Sequence, residues 1–206
     1  MTSDDAALLP TEKRVRAAAL PPSERRAEII ATTLPLLMEH GAAMTTRQIA
    51  EAAGIAEGTI FRVFEDKQAL IDAVVEAAID PAPTEATLRE IDLTLPLEQR
   101  LYEAVEILRR RTASVFQVMA AAGATPTGAN RPVNKPRPPE LRVLGKVFEP
   151  DPSEIDRDPQ AAAYVLRALT IVGTHPLMID TEPMASEEIV ALVLDGVRAR
   201  PAAPPP

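Results

Sequence analysis

Between Thr45 and Leu70 the chain reads TTRQIAEAAGIAEGTIFRVFEDKQAL, two short apolar-faced segments on either side of a glycine. Ile49, Ala50 and Ala53 recur at helical spacing and give the first segment one apolar face. Thr45 and Gln48 fit the capping-box pattern, in which hydroxyl and amide satisfy the free backbone N–H groups of a helix start. Gly54 follows, where a left-handed residue lets the chain leave the helix without steric cost. Ile55 plugs the corner, and Gly58 to Phe64 restarts a helix with Ile60 and Phe64 turned inward. This is a helix-turn-helix pattern, and its mechanical use is to lay the second helix in a DNA major groove.

Gly54-Ile55-Ala56-Glu57-Gly58-Thr59-Ile60-Phe61, followed by Phe64, Lys67 and Ala69-Leu70, resembles the DNA-binding motif of the tetracycline-repressor (TetR) family. The likeness reaches back through Ile29 to Gly41 as the expected first helix, so it covers roughly residues 23 to 79. Beyond residue 80 only the architecture is similar. The resemblance implies an all-α fold, with an N-terminal three-helix DNA-binding domain and a larger C-terminal helical domain for ligand binding and dimerisation. It divides the chain into a mobile basic arm (1–22), the helix-turn-helix domain (23–65), the ligand and dimer domain (66–200) and a tail (201–206). The implied partners are palindromic double-stranded DNA, a second copy of the chain and an unknown small-molecule effector.

Carried over residue by residue, the family's DNA contacts fall on Thr46, Arg47, Glu57, Gly58, Thr59, Phe61, Arg62 and Lys67. Arg47 opens the first helix of the motif, and Arg62 lies on the reading helix, where a guanidinium suits bidentate bonds to guanine. Lys67 matches the family's phosphate lysine. Gly58 lets the backbone approach the sugar-phosphate wall, and Thr59 offers a hydroxyl. Three positions depart from the family pattern. Phe61 replaces a common tyrosine and loses a phosphate-bonding hydroxyl. Ala56 replaces a frequent serine cap, giving up ~1 kcal/mol. Glu57 suits the helix dipole but repels phosphate, unless it accepts from a cytosine amino group.

The net charge of −8 runs against DNA binding until its distribution is examined. Residues 11–70 carry eight basic and eight acidic side chains, so the acidic excess lies outside the motif. Specificity then depends on placed contacts and on two copies acting together. Aromatic residues make up only 3% of the chain, so its core must be built from Leu, Val, Ile and Ala. There is no cysteine, which excludes disulfides and thiolate metal sites and fits a reducing cytoplasm. No apolar run reaches the ~20 residues needed to span a bilayer.

Along the chain, Lys13, Arg14 and Arg16 form a basic cluster, read either as an arm reaching DNA or as a solvated tail. Ser23 to His40 reads as a helix with Ser23 as N-cap and a kink at Pro35. Asp66 to Ile79 gives another, capped by Asp66 and broken by Asp80-Pro81-Ala82-Pro83. Leu97 to Ala122 is one long helix of about 37 Å. Residues 123–139 read as a loop and Glu140 to Phe148 as a short helix. Gln160 to Ile179 is apolar on nearly every side and Ser186 to Arg198 more mildly so. Such a pair either fills the monomer core or packs on its twin as a four-helix bundle.

A ligand pocket is expected among the long helices, with Phe116, Met119, Tyr164, Arg167 and His175 as candidate contacts. The scarcity of aromatics points to aliphatic walls. An enzyme is the weaker alternative: the two histidines, His40 and His175, fall in separate helices, and no phosphate loop, HExxH or Gly-x-Ser-x-Gly is present. No cofactor and no metal are expected. A dimeric helical binding module without DNA binding is the remaining alternative, motivated by Glu57 and the acidic balance.

Overall fold

The computed structural model describes residues 21–123, 139–175, 178 and 182–197. In order, the helices are α1 (Pro22–His40), α2 (Thr46–Ala52), α3 (Glu57–Val63), α4 (Lys67–Ala78) and α5 (Ala82–Arg89). They continue with α6 (Leu97–Ala121), α7 (Pro139–Gly145), α8 (Pro159–Thr174) and α9 (Ser186–Val197). A short 3-10 turn at Gly41–Ala43 joins α1 to α2. The fold is all-helical, an N-terminal helix-turn-helix unit beside a larger helical unit.

Two hydrophobic cores account for this layout. The first gathers Ile29 and Leu37 of α1, Ile49 of α2, Ile60 of α3, and Leu70, Ile71 and Val74 of α4, with Met44 and Phe64 between helices. Val118 of α6 closes it. The second gathers Leu88, Leu97, Leu101, Val105, Leu108, Leu144, Phe148, Leu166, Ile189 and Val193. Each fully buried leucine or phenylalanine contributes roughly 1.5–3 kcal/mol over its exposed state. The buried side of α4 therefore lies in the first core, although the sequence reading placed residues 66–200 in the second unit. The 25-residue α6 belongs to both, its first half in the second core and Val118 in the first.

Several helix ends differ from expectation for identifiable reasons. α1 starts at Pro22 with no side-chain cap, not at a Ser23 cap, because proline lacks the N–H that a cap would satisfy and its fixed φ suits the first helical position. Pro35 lies inside α1 and is exposed. Gly41 takes φ +60° at the exit of α1, and a Cβ there would sit 3.4 Å from the carbonyl oxygen of Ala121. α5 was not anticipated. It begins directly after the Asp80-Pro81 break, where the Asp80 carboxylate accepts from the Ala82 N–H at 3.0 Å, and an Arg89–Glu85 pair of 2.5 Å spans one turn.

α8 ends at Thr174, not at Ile179. The ring of Pro176 disfavours helical backbone at the preceding residue, and His175 accordingly sits extended at φ −95°, ψ 120°. Asp158 caps the other end, accepting from the Gln160 and Ala161 N–H groups. The helix is also not covered all round, because Tyr164, Val165 and Val172 are exposed. In the first turn of α6, buried Arg100 donates to the carbonyls of Leu93, Leu95 and Val147 and pairs with Asp151. One guanidinium thus ties the α5–α6 connection to the segment after α7.

Candidate nucleic-acid interface

The motif's geometry follows from its caps. Thr45 and Gln48 form the expected capping box, with the Thr45 N–H donating to the Gln48 side chain at 2.7 Å and the Gln48 N–H returning to the Thr45 hydroxyl at 3.2 Å. Gly54 adopts φ +63°, and the Ile55 N–H reaches back to the Ala50 carbonyl at 3.0 Å. That closure turns the chain so that α3 packs only one side, through buried Ile60 and the following Phe64. The Arg26 guanidinium covers the Phe64 ring at 4.5 Å from its centroid and clamps α1 onto the end of α3. Sequence reading did not single out Arg26.

The other side of α3 faces outward. Glu57, Gly58, Phe61 and Arg62 are exposed and Thr59 is half-buried. Phe61 leaves 49% of its surface bare, unusual for a phenylalanine with a core within reach. A Cβ on Gly58 would meet nothing within 4 Å, so the subunit's own packing does not require glycine there.

Charged groups on this face are already partly paired. The Thr46 hydroxyl donates to the Glu57 carboxylate, joining the start of α2 to the start of α3. Arg47 donates from Nε to Glu51 at 2.9 Å, one turn along α2. The Glu51 hydrogen bond, then its charge, with Glu57 adding to them, hold the Arg47 guanidinium above its ordinary pKa. Lys67 donates from Nζ to the carbonyls of Ala42 (2.8 Å) and Met44 (3.1 Å), pinning the start of α4 to the α1–α2 connection. Arg62 makes no hydrogen bond or ion pair among the described residues. The basic cluster of the arm lies outside the described residues.

A separate cavity of about 560 Å³ opens beside α6. Phe116 and His175, two of the five expected contacts, line it, their ring centroids 3.5 Å apart. Met119 and Arg167 are half-buried elsewhere and Tyr164 is exposed on α8, so these three are not among its lining residues. The buried residues of α6, Leu97, Leu101, Val105, Leu108 and Val118, point toward the two cores. The cavity uses another face of the helix, at Glu106, Arg109, Arg110, Ala113, Gln117 and Ala120. These positions recur at helical spacing, a signal that a search limited to apolar residues passes over. The wall is accordingly mixed, not aliphatic.

Comparison with known proteins agrees with this geometry. Residues 29–74 match the family described as "Bacterial regulatory proteins, tetR family". The tetracycline repressor protein class C of Escherichia coli is 36% identical over 69 residues, covering 33% of this chain and 32% of that protein. The match thus spans about a third of the curated relative's length. A structure solved in work described as "Molecular basis for control of antibiotic production by a bacterial hormones" is 20% identical, covering 85% of this chain and 98% of its own, with a TM-score of 0.57. A TetR-family structure from Mesorhizobium loti is 17% identical, covering 88% of this chain and 100% of its own, with a TM-score of 0.53. These two likenesses concern the fold.

Proposed function

We infer from membership of the tetR family of bacterial regulatory proteins, to which this chain belongs, that it is a transcriptional repressor held on a palindromic operator and released by a small molecule. The observation that carries this reading is the outward side of α3. It presents Gly58, Phe61 and Arg62 to solvent while Ile60 and Phe64 lock the helix to the first core. A helix glycine costs about 1 kcal/mol against alanine. With no internal reason for Gly58, its use is to let backbone come close to a phosphate wall outside the molecule.

In this assignment Arg62 reads a base edge, and Arg47 and Lys67 face the sugar-phosphate backbone. Thr46, Glu57, Thr59 and Phe61 border the same groove. Residues 23–65 read DNA with Lys67 just beyond them, and the rest of residues 66–200 binds the effector and the second copy. The exposed apolar side chains of α8 and α9, Tyr164, Val165, Val172 and Leu192, are the surface for that copy. Two-fold pairing sets the reading helices about one DNA turn, ~34 Å, apart. An effector in the α6 cavity works by binding unequally to two spacings of the pair.

A binding module without DNA affinity is the second reading, favoured by one observation: Thr46 and Arg47 already have acidic partners, Glu57 and Glu51. Footprinting on the DNA upstream of the gene, with a salt series, tests the two. The repressor reading expects a protected palindrome and affinity that falls steeply with salt. Equal affinity for scrambled DNA removes the sequence-specific part, and no DNA affinity at any salt leaves only the second reading.

A further inference from the structure

We propose that the α6 cavity takes an organic carboxylate with an apolar body, its carboxylate on Arg110 and its body along Ala113, Phe116 and Ala120. This rests on the reading of that cavity as the effector site and names the ligand's chemical class.

The charged groups of the cavity divide by what they already hold. Arg109 donates to the Met184 carbonyl at 2.6 Å and to the Ser186 hydroxyl at 3.2 Å. The Ser186 hydroxyl in turn donates to the Glu106 carboxylate. Glu106 and Arg109 are therefore joined through Ser186, and their charges offset each other inside the wall. Arg110 makes no hydrogen bond or ion pair among the described residues. Among the described residues the cavity thus carries two guanidiniums against one carboxylate, and of the two Arg110 is the exposed one, without a partner among them. A guanidinium presents its N–H groups as a flat fork that matches a carboxylate.

The rest of the wall sets the body. Ala113, Phe116 and Ala120 follow Arg110 along one strip of α6, and Pro183 also lines the cavity. From Arg110 to Ala120 the helix rises about 15 Å. The charged Glu106, Arg109 and Arg110 thus gather at one end, whereas Ala113, Phe116 and Ala120 give the other an apolar strip bordered by Gln117 and His175, which leaves room for the body of an amphiphile. The volume of about 560 Å³ falls within the range of small-molecule sites.

The test is calorimetric titration of the full chain with two acids, octanoate and phenylacetate, each beside its matched alcohol and amine. The proposal expects at least one acid to bind roughly tenfold or more tightly than its alcohol and amine, the worth of one charge-assisted contact. In Arg110→Glu the preference should invert toward the amine, and in Glu106→Gln the acid should bind as well as or better than before. Arg110 is exposed, so circular dichroism should show the charge swap unchanged in fold. Preference for an amine in the wild type, no preference, or no binding of any probe overturns the proposal. An acid preference that survives Arg110→Glu overturns the assignment to Arg110. Operator retention measured in the same samples separates the two readings. An acid that binds through Arg110 without loosening DNA removes the effector reading and keeps the ligand class, whereas release by a non-acidic compound at this cavity does the reverse.

Discussion

Thr46 and Glu57 stand eleven residues apart, yet the threonine hydroxyl donates to the glutamate carboxylate across the turn between α2 and α3. The bond braces the two helices against each other and at the same time places an anion at the edge of the outward side of α3, the side proposed to meet DNA. Those effects oppose each other once that side meets phosphate. Glu57→Gln keeps a hydrogen-bond acceptor for Thr46 and removes the charge. Non-specific DNA affinity should rise roughly two- to threefold at low salt, about what a unit charge near a phosphate is worth across water, and the gain should shrink as salt is added. Fluorescence anisotropy at two salt concentrations checks it, and unchanged affinity would mean that Glu57 lies off the DNA.

Gly58 predicts a trade-off. Alanine fits there without touching anything in the subunit, so Gly58→Ala should stabilise α3 by about 0.5–1 kcal/mol. The same methyl group should weaken operator binding by roughly tenfold, because it stands where the helix backbone is proposed to meet phosphate. Urea denaturation and operator titration on one preparation should move in opposite directions. If both improve, the helix does not dock as proposed.

Lys67 should lose two functions at once. Replacing it by methionine keeps the aliphatic stem but frees the Ala42 and Met44 carbonyls, at a cost of about 1 kcal/mol in this half-exposed setting. The urea midpoint should fall with an unchanged slope. A drop in DNA affinity larger than the added unfolding explains would mark a phosphate contact beyond the brace.

Arg111 donates to the carbonyls of Ile79 (2.7 Å) and Ala78 (3.4 Å) at the end of α4. A cation on the last carbonyls of a helix satisfies groups that have no partner within it. In Arg111→Ala the amides of Ile79 and Asp80, which bond back to Val75 and Ala77, should exchange hydrogen faster, by about tenfold. Amides in the first half of α4 serve as the internal control.

The exposed apolar side of α8 and α9 predicts the last outcome. Val165→Glu or Leu192→Glu places a charge where the second copy is proposed to pack, leaving the monomer's own core intact. Sedimentation should then show half the wild-type mass, and operator affinity should fall by more than tenfold as paired reading is lost. A full-mass variant would place the pairing surface elsewhere.

The helix-turn-helix was legible because its determinants are local. A capping threonine, a left-handed glycine and two inward apolar residues act within a few positions of each other, and the chain has little choice but to obey them. α5 was missed because the prolines at 81 and 83 read as a break, although proline starts helices as readily as it ends them. The end of α8 was misplaced because apolar composition outweighed the one residue, Pro176, that governs the backbone before it. The cavity was legible only in part. Phe116 and His175 attract notice by type, whereas Arg110 and Glu106 gain their roles from what Arg109 and Ser186 do with neighbours some eighty residues away. No local pattern encodes such a pairing.

Val118, near the end of α6, is buried among side chains of the first core, with Ala121 and Ala122 packed beside it. Helices α1 to α4 therefore do not enclose their core without the end of α6. Cut loose or grafted onto a foreign partner, they would leave the floor of their own interior uncovered. A chimaera between this chain and a relative keeps its head intact only if the graft brings along the last two turns of α6.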